Sequence, residues 1–287
     1  GVVSADPRLV PEAHRMTTIS FDEMLEMTAC GCPKPAMRSV EFARTWGVPL
    51  HVRSSFTWEP GTWVTEEDES MEQAIVSAVV HDVSGVGTPM NLTISGGSTV
   101  WAGGALDVTS ETVISSGGAA TKVIGALKAT NALTVEAWVV PANTTQKGPA
   151  RVVALSQNGY PDGGNFILGP EETAYWGRVR TSSTDQYGKP AVEGGPVTTT
   201  LTHVVMTHGA GGERRLHVNG VLVDTETVTG TFANWSDVAL ALANEPVGGR
   251  AWLGELHLVA IYDQALTPAQ IQQNFDAGPA GTAGPVQ

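Results

Sequence analysis

Basic side chains are scarce in this chain: 16 Lys and Arg stand against 29 Asp and Glu, a formal charge of −13 with a pI near 4.9. A surface of that sign repels phosphate, which argues against nucleic acid as a partner. Cysteine is nearly absent. Cys30 and Cys32 form a C-x-C at a predicted helix end. A zinc site needs further ligands at suitable spacing, and none is there. C-x-C also closes poorly as a disulfide, so the pair reads as two ordinary thiols. No apolar run is long enough to span a bilayer. No basic start leads into an apolar signal core, and the chain, opening at Gly1-Val2-Val3, reads as a fragment. Hydrolytic motifs are missing too. There is no Gly-x-Ser-x-Gly elbow and no His-Glu-x-x-His. Nor is there the E-x-D-x-(x)-E string that would set paired carboxylates on one strand face. Asp224-Thr225-Glu226 has the right alternation but follows a hairpin and reads as a solvated edge. The seven His are scattered singly, as strand-face or surface residues rather than ligands.

What is present divides at His81–Met90 (HDVSGVGTPM). Before it, Ser4–Arg8 (SADPR) makes a turn, and Ser20-Phe21-Asp22-Glu23 has the form of a capping box opening a helix through Met24, Leu25 and Met27. Met37, Val40 and Ala43, three apart, put one apolar face on a second helix that stops at Gly47, and Val48, Leu50 and Val52 alternate as a strand. The acidic run Glu66-Glu67-Asp68-Glu69 reads as a solvated loop. This is part of an α/β layer, too short to close a sheet of its own.

The stretches GVVSADPRLVPEAHRMTTISFDEMLEMTACG, RSVEFARTWGVPLHVRSSF, PGTWVT and MEQAIVSAVVHDVS resemble the last part of the aspartokinase (amino-acid kinase) catalytic domain, over residues 1–84. The resemblance implies that Asp6 and Arg8 lie on the nucleotide side, with Lys34 near the phosphates. Two departures weigh on activity. The family's opening half, with K-[FY]-G-G-T-S, is not in this chain. Its G-A-K-x-L becomes Gly31-Cys32-Pro33-Lys34-Pro35, which displaces the lysine and brackets it with prolines that fix φ. Phosphoryl transfer rests on positioning and charge stabilisation, so ATP and Mg enter only if the kinase part is completed.

After the seam, Gly85, Gly87 and Pro89 form an expected linker over residues 85–89. Leu133–Val140 (LTVEAWVV) alternates, and further strands are expected near Met90–Ile94, Arg151–Leu155, Ala174–Arg180, Leu201–Thr207 and Ala251–Tyr262. Asn219-Gly220 between alternating runs predicts a type I′ hairpin, since both residues tolerate positive φ. Thr267-Pro268-Ala269-Gln270 is an N-cap, an N1 proline and a capping box, with Leu266 stapling onto Ile271. The closing helix ends at Gly278. Many short strands and one terminal helix point to an antiparallel β-sandwich over residues 90–278, with 279–287 a flexible tail.

LTVEAWVVP, THVVMTHG, RRLHVNGVLV and WLGELHLVAIYDQALTPAQIQQNF together resemble the laminin-G-like, concanavalin A-like jelly roll. That family implies carbohydrate or protein ligands, an extracellular or surface setting, and often calcium in the sandwich. Where relatives read Gly-x-Ile-Asp, this chain has Gly254-Glu255-Leu256-His257. The first resemblance implies cytoplasm, so the two disagree on compartment. The best aromatic and planar-polar cluster is Trp176, Arg178 and Arg180 on one strand face, Tyr175 on the other, and Asp185 and Tyr187 in the following loop. Trp235, Asn244 and Glu245 make a second. Asn91, Asn143 and Asn234 begin N-x-Ser/Thr sequons. The expected protein is mainly β, a jelly-roll sandwich preceded by a partial α/β kinase fragment. Its expected role is that of a non-catalytic binding module for carbohydrate or protein, with aspartate kinase, split or truncated, as the alternative.

Overall fold

The computed structural model describes residues 2, 16, 18–29, 35–53, 61–65, 76–77, 80–82, 84, 86–159 and 163–279. Asp6, Arg8, Cys30, Cys32, Lys34, the acidic run 66–69 and the tail beyond 279 lie outside the described residues. The chain folds as two compact units, Gly1–Glu72 and Gln73–Gln287.

The first unit contains β1 (Thr18–Ser20), α1 (Phe21–Ala29), α2 (Met37–Thr45), β2 (Leu50–Val52) and β3 (Thr62–Thr65). Its three strands run in the order β1-β3-β2, parallel between β1 and β3 and antiparallel between β2 and β3. Of the apolar face expected on α2, Val40 and Ala43 join Val2, Ile19, Phe21, Met24 and Val64 in one small core, whereas Met37 in the first turn is exposed. Helix α2 runs out at Trp46, and Gly47 takes φ 60, a left-handed backbone that glycine adopts without strain.

The second unit contains β4 (Val76–Ser77), β5 (Thr93–Ser95), β6 (Thr99–Ala102), β7 (Ala105–Val108), β8 (Val113–Ser115), α3 (Thr121–Thr130), β9 (Leu133–Pro141), β10 (Val153–Gly159) and β11 (Gly163–Glu171). It continues with β12 (Ala174–Val179), β13 (Val192–Pro196), β14 (Thr202–His208), β15 (Glu213–Val218), β16 (Val221–Thr227), β17 (Ala239–Leu242), β18 (Gly254–Tyr262) and α4 (Pro268–Ala277). One sheet orders its strands β13-β12-β11-β10-β17-β8-β5, the other β16-β15-β14-β9-β18-β7-β6, with β4 also paired to β18. Every pairing in these two sheets is antiparallel. Their inner faces share one core, with Val135, Ala137, Val139, Val204 and Met206 on one side and Val153, Leu155, Phe166, Leu168 and Tyr175 on the other. This is the sandwich arrangement, in which two half-apolar sheets bury each other.

Local chemistry fixes its corners. Asn219 and Gly220 take φ 51 and 75, joining β15 to β16 with Val218 opposite Val221, as a type I′ turn requires. Thr267 accepts the Gln270 N–H while the Gln270 side chain accepts the Thr267 N–H, and Leu266 and Ile271 share a cluster. The terminal helix is therefore capped as its sequence specifies.

Two features differ from the expectation. Helix α3 was not foreseen: its N-cap is Ala120, which offers no side-chain acceptor, and Gly125 sits mid-helix. It forms because Val123, Ile124 and Leu127 pack into the sandwich core, a tertiary gain that overrides weak local propensity. The second is the seam. Asp82, its side chain 1% exposed, accepts the Lys122 ammonium at 2.6 Å and the Met90 N–H at 2.8 Å. It also accepts the Ser84 N–H and hydroxyl. Burial alone would raise this carboxyl, but those hydrogen bonds together hold it below its ordinary value. With Val80 and Val86 against the core, this stretch folds as part of the second unit, whose boundary falls ahead of the expected one.

Candidate binding site on the seven-stranded sheet

Strand β12 alternates as its sequence implies: Tyr175, Gly177 and Val179 are buried, while Trp176 and Arg178 are half-buried on the opposite face. Tyr175 points into the core, where burial pushes its phenol up to about 12. Gly177 lets the sheets meet, since a methyl there would stand 2.5 Å from the Met206 sulfur. On the outer face the Arg178 guanidinium lies 4.9 Å from the centre of the Trp176 ring, within cation–π range.

In register beside Arg178 is Ile167 of β11, which in turn pairs with Ala154 of β10, so the outer face continues across three strands. Here a cavity of about 190 Å³ opens, lined by Arg178 and by Tyr187 from the loop after β12. Arg151, Ser156 and Glu245 are also part of its wall. Glu245, 1% exposed, pairs with Arg151 at 2.5 Å and accepts the Ser156 hydroxyl. Arg151 also donates to the Pro149 carbonyl. A buried carboxylate held in this way is a fixed part of the wall. Lys189 and Arg250 complete the cationic lining. Burial lowers both the Arg151 and Arg178 guanidinium groups from their ordinary value. Glu245 opposes that shift at Arg151, while Arg151 itself adds to it at Arg178.

The sequence candidates therefore separate. Arg178, Tyr187 and Glu245 meet at the cavity, although they came from two different predicted clusters, and Trp176 supports Arg178 from beside it. Arg180 turns away to donate to Asn165, to the Asn234 carbonyl and to Ser236, bracing two loops. Asp185 accepts the N–H groups of Tyr187 and Lys189, both at 3.0 Å, and so shapes the loop that presents Tyr187. Trp235 is 4% exposed, stacks on Phe232 at 4.2 Å and donates its indole N–H to the Arg180 carbonyl. It is a core residue, which corrects its reading as a ligand contact. Asn244 is fully buried: it accepts the N–H groups of Glu245 and Arg250 and donates to Glu111, folding the loop that carries Glu245.

Sequence reasoning missed Arg151, Ser156, Lys189 and Arg250, which carry no shared motif and meet only through sheet register. It also missed Arg214. This fully buried arginine of β15 donates to the carbonyls of Val179, Gly188 and Pro190, clamping both ends of the loop that holds Tyr187 and Lys189. Burial lowers it to about 10, and three carbonyl acceptors are what make a buried guanidinium tolerable. Among the described residues, no three His, Cys, Asp or Glu side chains converge to hold a metal ion. Glu255 and His257, in place of the family's Gly-x-Ile-Asp, make only a pair at 3.2 Å, so the described residues do not fit a calcium site there. No described helix is long and apolar enough to cross a membrane.

Comparison with known proteins agrees with two origins. The aspartokinase of Mycolicibacterium smegmatis is 52% identical over 86 residues, 29% of this chain and 20% of that protein. The aspartokinase of Corynebacterium efficiens is 46% identical over the same length. The chain spans about a fifth of the length of these curated relatives. Among solved structures, the botulinum neurotoxin serotype C1 binding domain aligns with a TM-score of 0.54 at 11% identity, over 73% of this chain and 53% of that one. Domain 4 of an extracellular arabinanase from Geobacillus stearothermophilus, solved with arabinotriose, aligns with a TM-score of 0.51 at 18% identity, over 70% of this chain and 98% of that domain. At such identities the likeness concerns the fold. The family model described as concanavalin A-like lectin/glucanases superfamily, of laminin-G type, matches residues 115–272. That stretch is more than half of the chain and contains the whole cavity, so this protein, which carries an aspartokinase-like segment ahead of its sandwich, belongs to the concanavalin A-like lectin/glucanases superfamily.

Proposed function

We propose that the sandwich is a non-catalytic binding module for a carbohydrate or protein ligand, joined to an aspartokinase fragment, and that its ligand sits in the cavity beside Arg178. The observation that carries this is the outer-face arrangement itself: an arginine fork stacked on Trp176, a tyrosine from a shaped loop and a polar wall around one small cavity. Aromatic faces and planar donors are the groups that grip sugar rings and polar side chains. Glycoside hydrolysis needs two carboxyl groups flanking the scissile bond, about 5–9.5 Å apart. Glu245 is the one carboxylate among the cavity's described lining, and it is engaged by Arg151 and Ser156. The reading of binding without chemistry is built on that arrangement. A glycan array probed with the full chain, with and without calcium, tests this reading. Retention of a defined glycan set, lost in Trp176→Ala, is expected. Silence across the array by a folded chain removes the carbohydrate reading.

The 52% identity over 86 residues supports a second reading, an aspartate kinase that is split or has its regulatory part replaced. ATP turnover dependent on aspartate, catalysed by this chain, would put that reading first.

A further inference from the structure

The cavity is cationic in a protein that is otherwise acidic. Of its described lining residues, Arg151, Arg178, Lys189 and Arg250 are basic and Glu245 alone is acidic, while the chain as a whole carries 29 acidic against 16 basic side chains. Arg151 is neutralised by Glu245 at 2.5 Å. The other three have no carboxylate within ion-pair distance among the described residues. The nearby acids are occupied or distant. Glu171 accepts the Gly148 N–H at 2.7 Å and Asp185 accepts the Tyr187 N–H in its own loop; Asp185, Glu171 and Glu193 attract Arg178 only from beyond ion-pair distance. The Nε of Arg178 is buried without a hydrogen-bond partner, which is costly unless something else completes it.

Resting on the binding-module reading above, we propose that this cavity selects an acidic sugar, a pyranose bearing a carboxylate, with the carboxylate taken by the Arg178 fork. Arg250 and Lys189 add positive potential, and the ring of Tyr187 lies against the sugar. Size supports a single terminal residue: about 190 Å³ is below the roughly 300–1,000 Å³ of pockets that enclose drug-sized ligands. Planarity supports a carboxylate, because the guanidinium fork, held 4.9 Å over the Trp176 ring, matches two coplanar oxygens. A positive site on a negative protein also discriminates by charge, since the remaining surface repels the same ligand.

Titration of the full chain with methyl glucuronide and methyl galacturonide, against methyl glucoside, methyl galactoside and glucose 6-sulfate, tests the proposal by calorimetry or ligand-observed NMR. A preference for a uronide over its neutral partner on the order of tenfold or more is expected, weakening as salt rises. Arg178→Gln should reduce that ratio to less than about threefold. Arg215→Gln, which removes a surface arginine paired with Glu213 outside the cavity, should leave it unchanged, with unaltered thermal transitions showing that both variants fold. Equal binding of uronide and neutral sugar, or an undiminished ratio in Arg178→Gln, overturns acid selection but leaves the binding module standing. Tighter binding of the sulfate than of either uronide overturns the carboxylate assignment. If no glycan of any charge binds the folded chain, the carbohydrate reading of the module falls, and the acidic-sugar proposal with it.

Discussion

On the outer face of the eight-stranded sheet, Glu136, His203 and Tyr262 are buried beneath α4, whereas on the outer face of the seven-stranded sheet Arg178 and Ser156 border an open cavity, with Trp176 beside Arg178. Both sets come from strands with ordinary in–out alternation. Under the helix, Glu136 accepts from the Tyr262 hydroxyl at 3.0 Å and the Asn274 amide at 2.9 Å, and lies 2.8 Å from His203 Nε2. Trp138, His203 and Phe275 stack beside them. There Glu136 draws the Tyr262, Asn274 and His203 groups together, and the network serves stability. On the other sheet no helix among the described residues covers the Arg178 face, and the outward groups keep donors for something outside the chain. A cover of ten residues separates a structural network from a candidate site.

The sharpest way to break that contrast is to remove the centre of the covered network. Glu136→Ala removes the buried acceptor shared by the Tyr262 hydroxyl, the Asn274 amide and His203 Nε2 and should cost about 3–5 kcal/mol, read as a lower urea midpoint. Acid attacks the same sheet. His208 and His217 are buried with no partner for either ring nitrogen among the described residues. Burial lowers both to about 4, helped by Arg214 at His208 and by Arg215 and His203 at His217. The unfolded chain, with histidine near 6.5, then binds more protons than the folded one between those values. Stability from these groups is full above pH 6.5 and falls by a few kcal/mol as the pH drops towards 4. Denaturant titrations at pH 7, 5.5 and 4.5 would show it, and a flat profile would contradict the burial argument.

Arg214→Met links the two faces, because Arg214 rises from the eight-stranded sheet but clamps the cavity loop. It should cost on the order of 2–3 kcal/mol and weaken ligand binding without touching the ligand. Thr267→Ala loosens the cover by its cap alone, about 1 kcal/mol, visible as earlier melting of α4 in hydrogen exchange. Arg178→Gln closes the series. On the uncovered face it should change stability by less than about 0.5 kcal/mol while removing most of the binding, the reverse of Glu136→Ala.

How much of this was legible beforehand depends on the range of the signal. The Asn219-Gly220 turn and the Thr267 capping box involve neighbours within four residues, and both formed as read. The resemblance of LTVEAWVV and the closing Ala-Leu-Thr-Pro run identified the sandwich. Helix α3 escaped because its support comes from core packing rather than from caps. The grouping of the two predicted ligand clusters was not preserved, for a similar reason. Alternation placed Trp176 and Arg178 outward, but it could not say that Trp235 would be covered by Phe232 or that Glu245 would lie beside Arg151, 94 residues away.

The sequence by itself determined the strand faces, the tight turns, the capped terminal helix and the two origins of the chain, since each depends on local geometry or on residue identity at fixed spacing. The tertiary structure alone decided which outward face is covered and which cations share a cavity, and that the seam residue Asp82 is locked to Lys122 as part of the sandwich. Those outcomes rest on contacts between residues 40 to 138 positions apart, whose register is set when the sheets assemble and leaves no periodic trace in the chain.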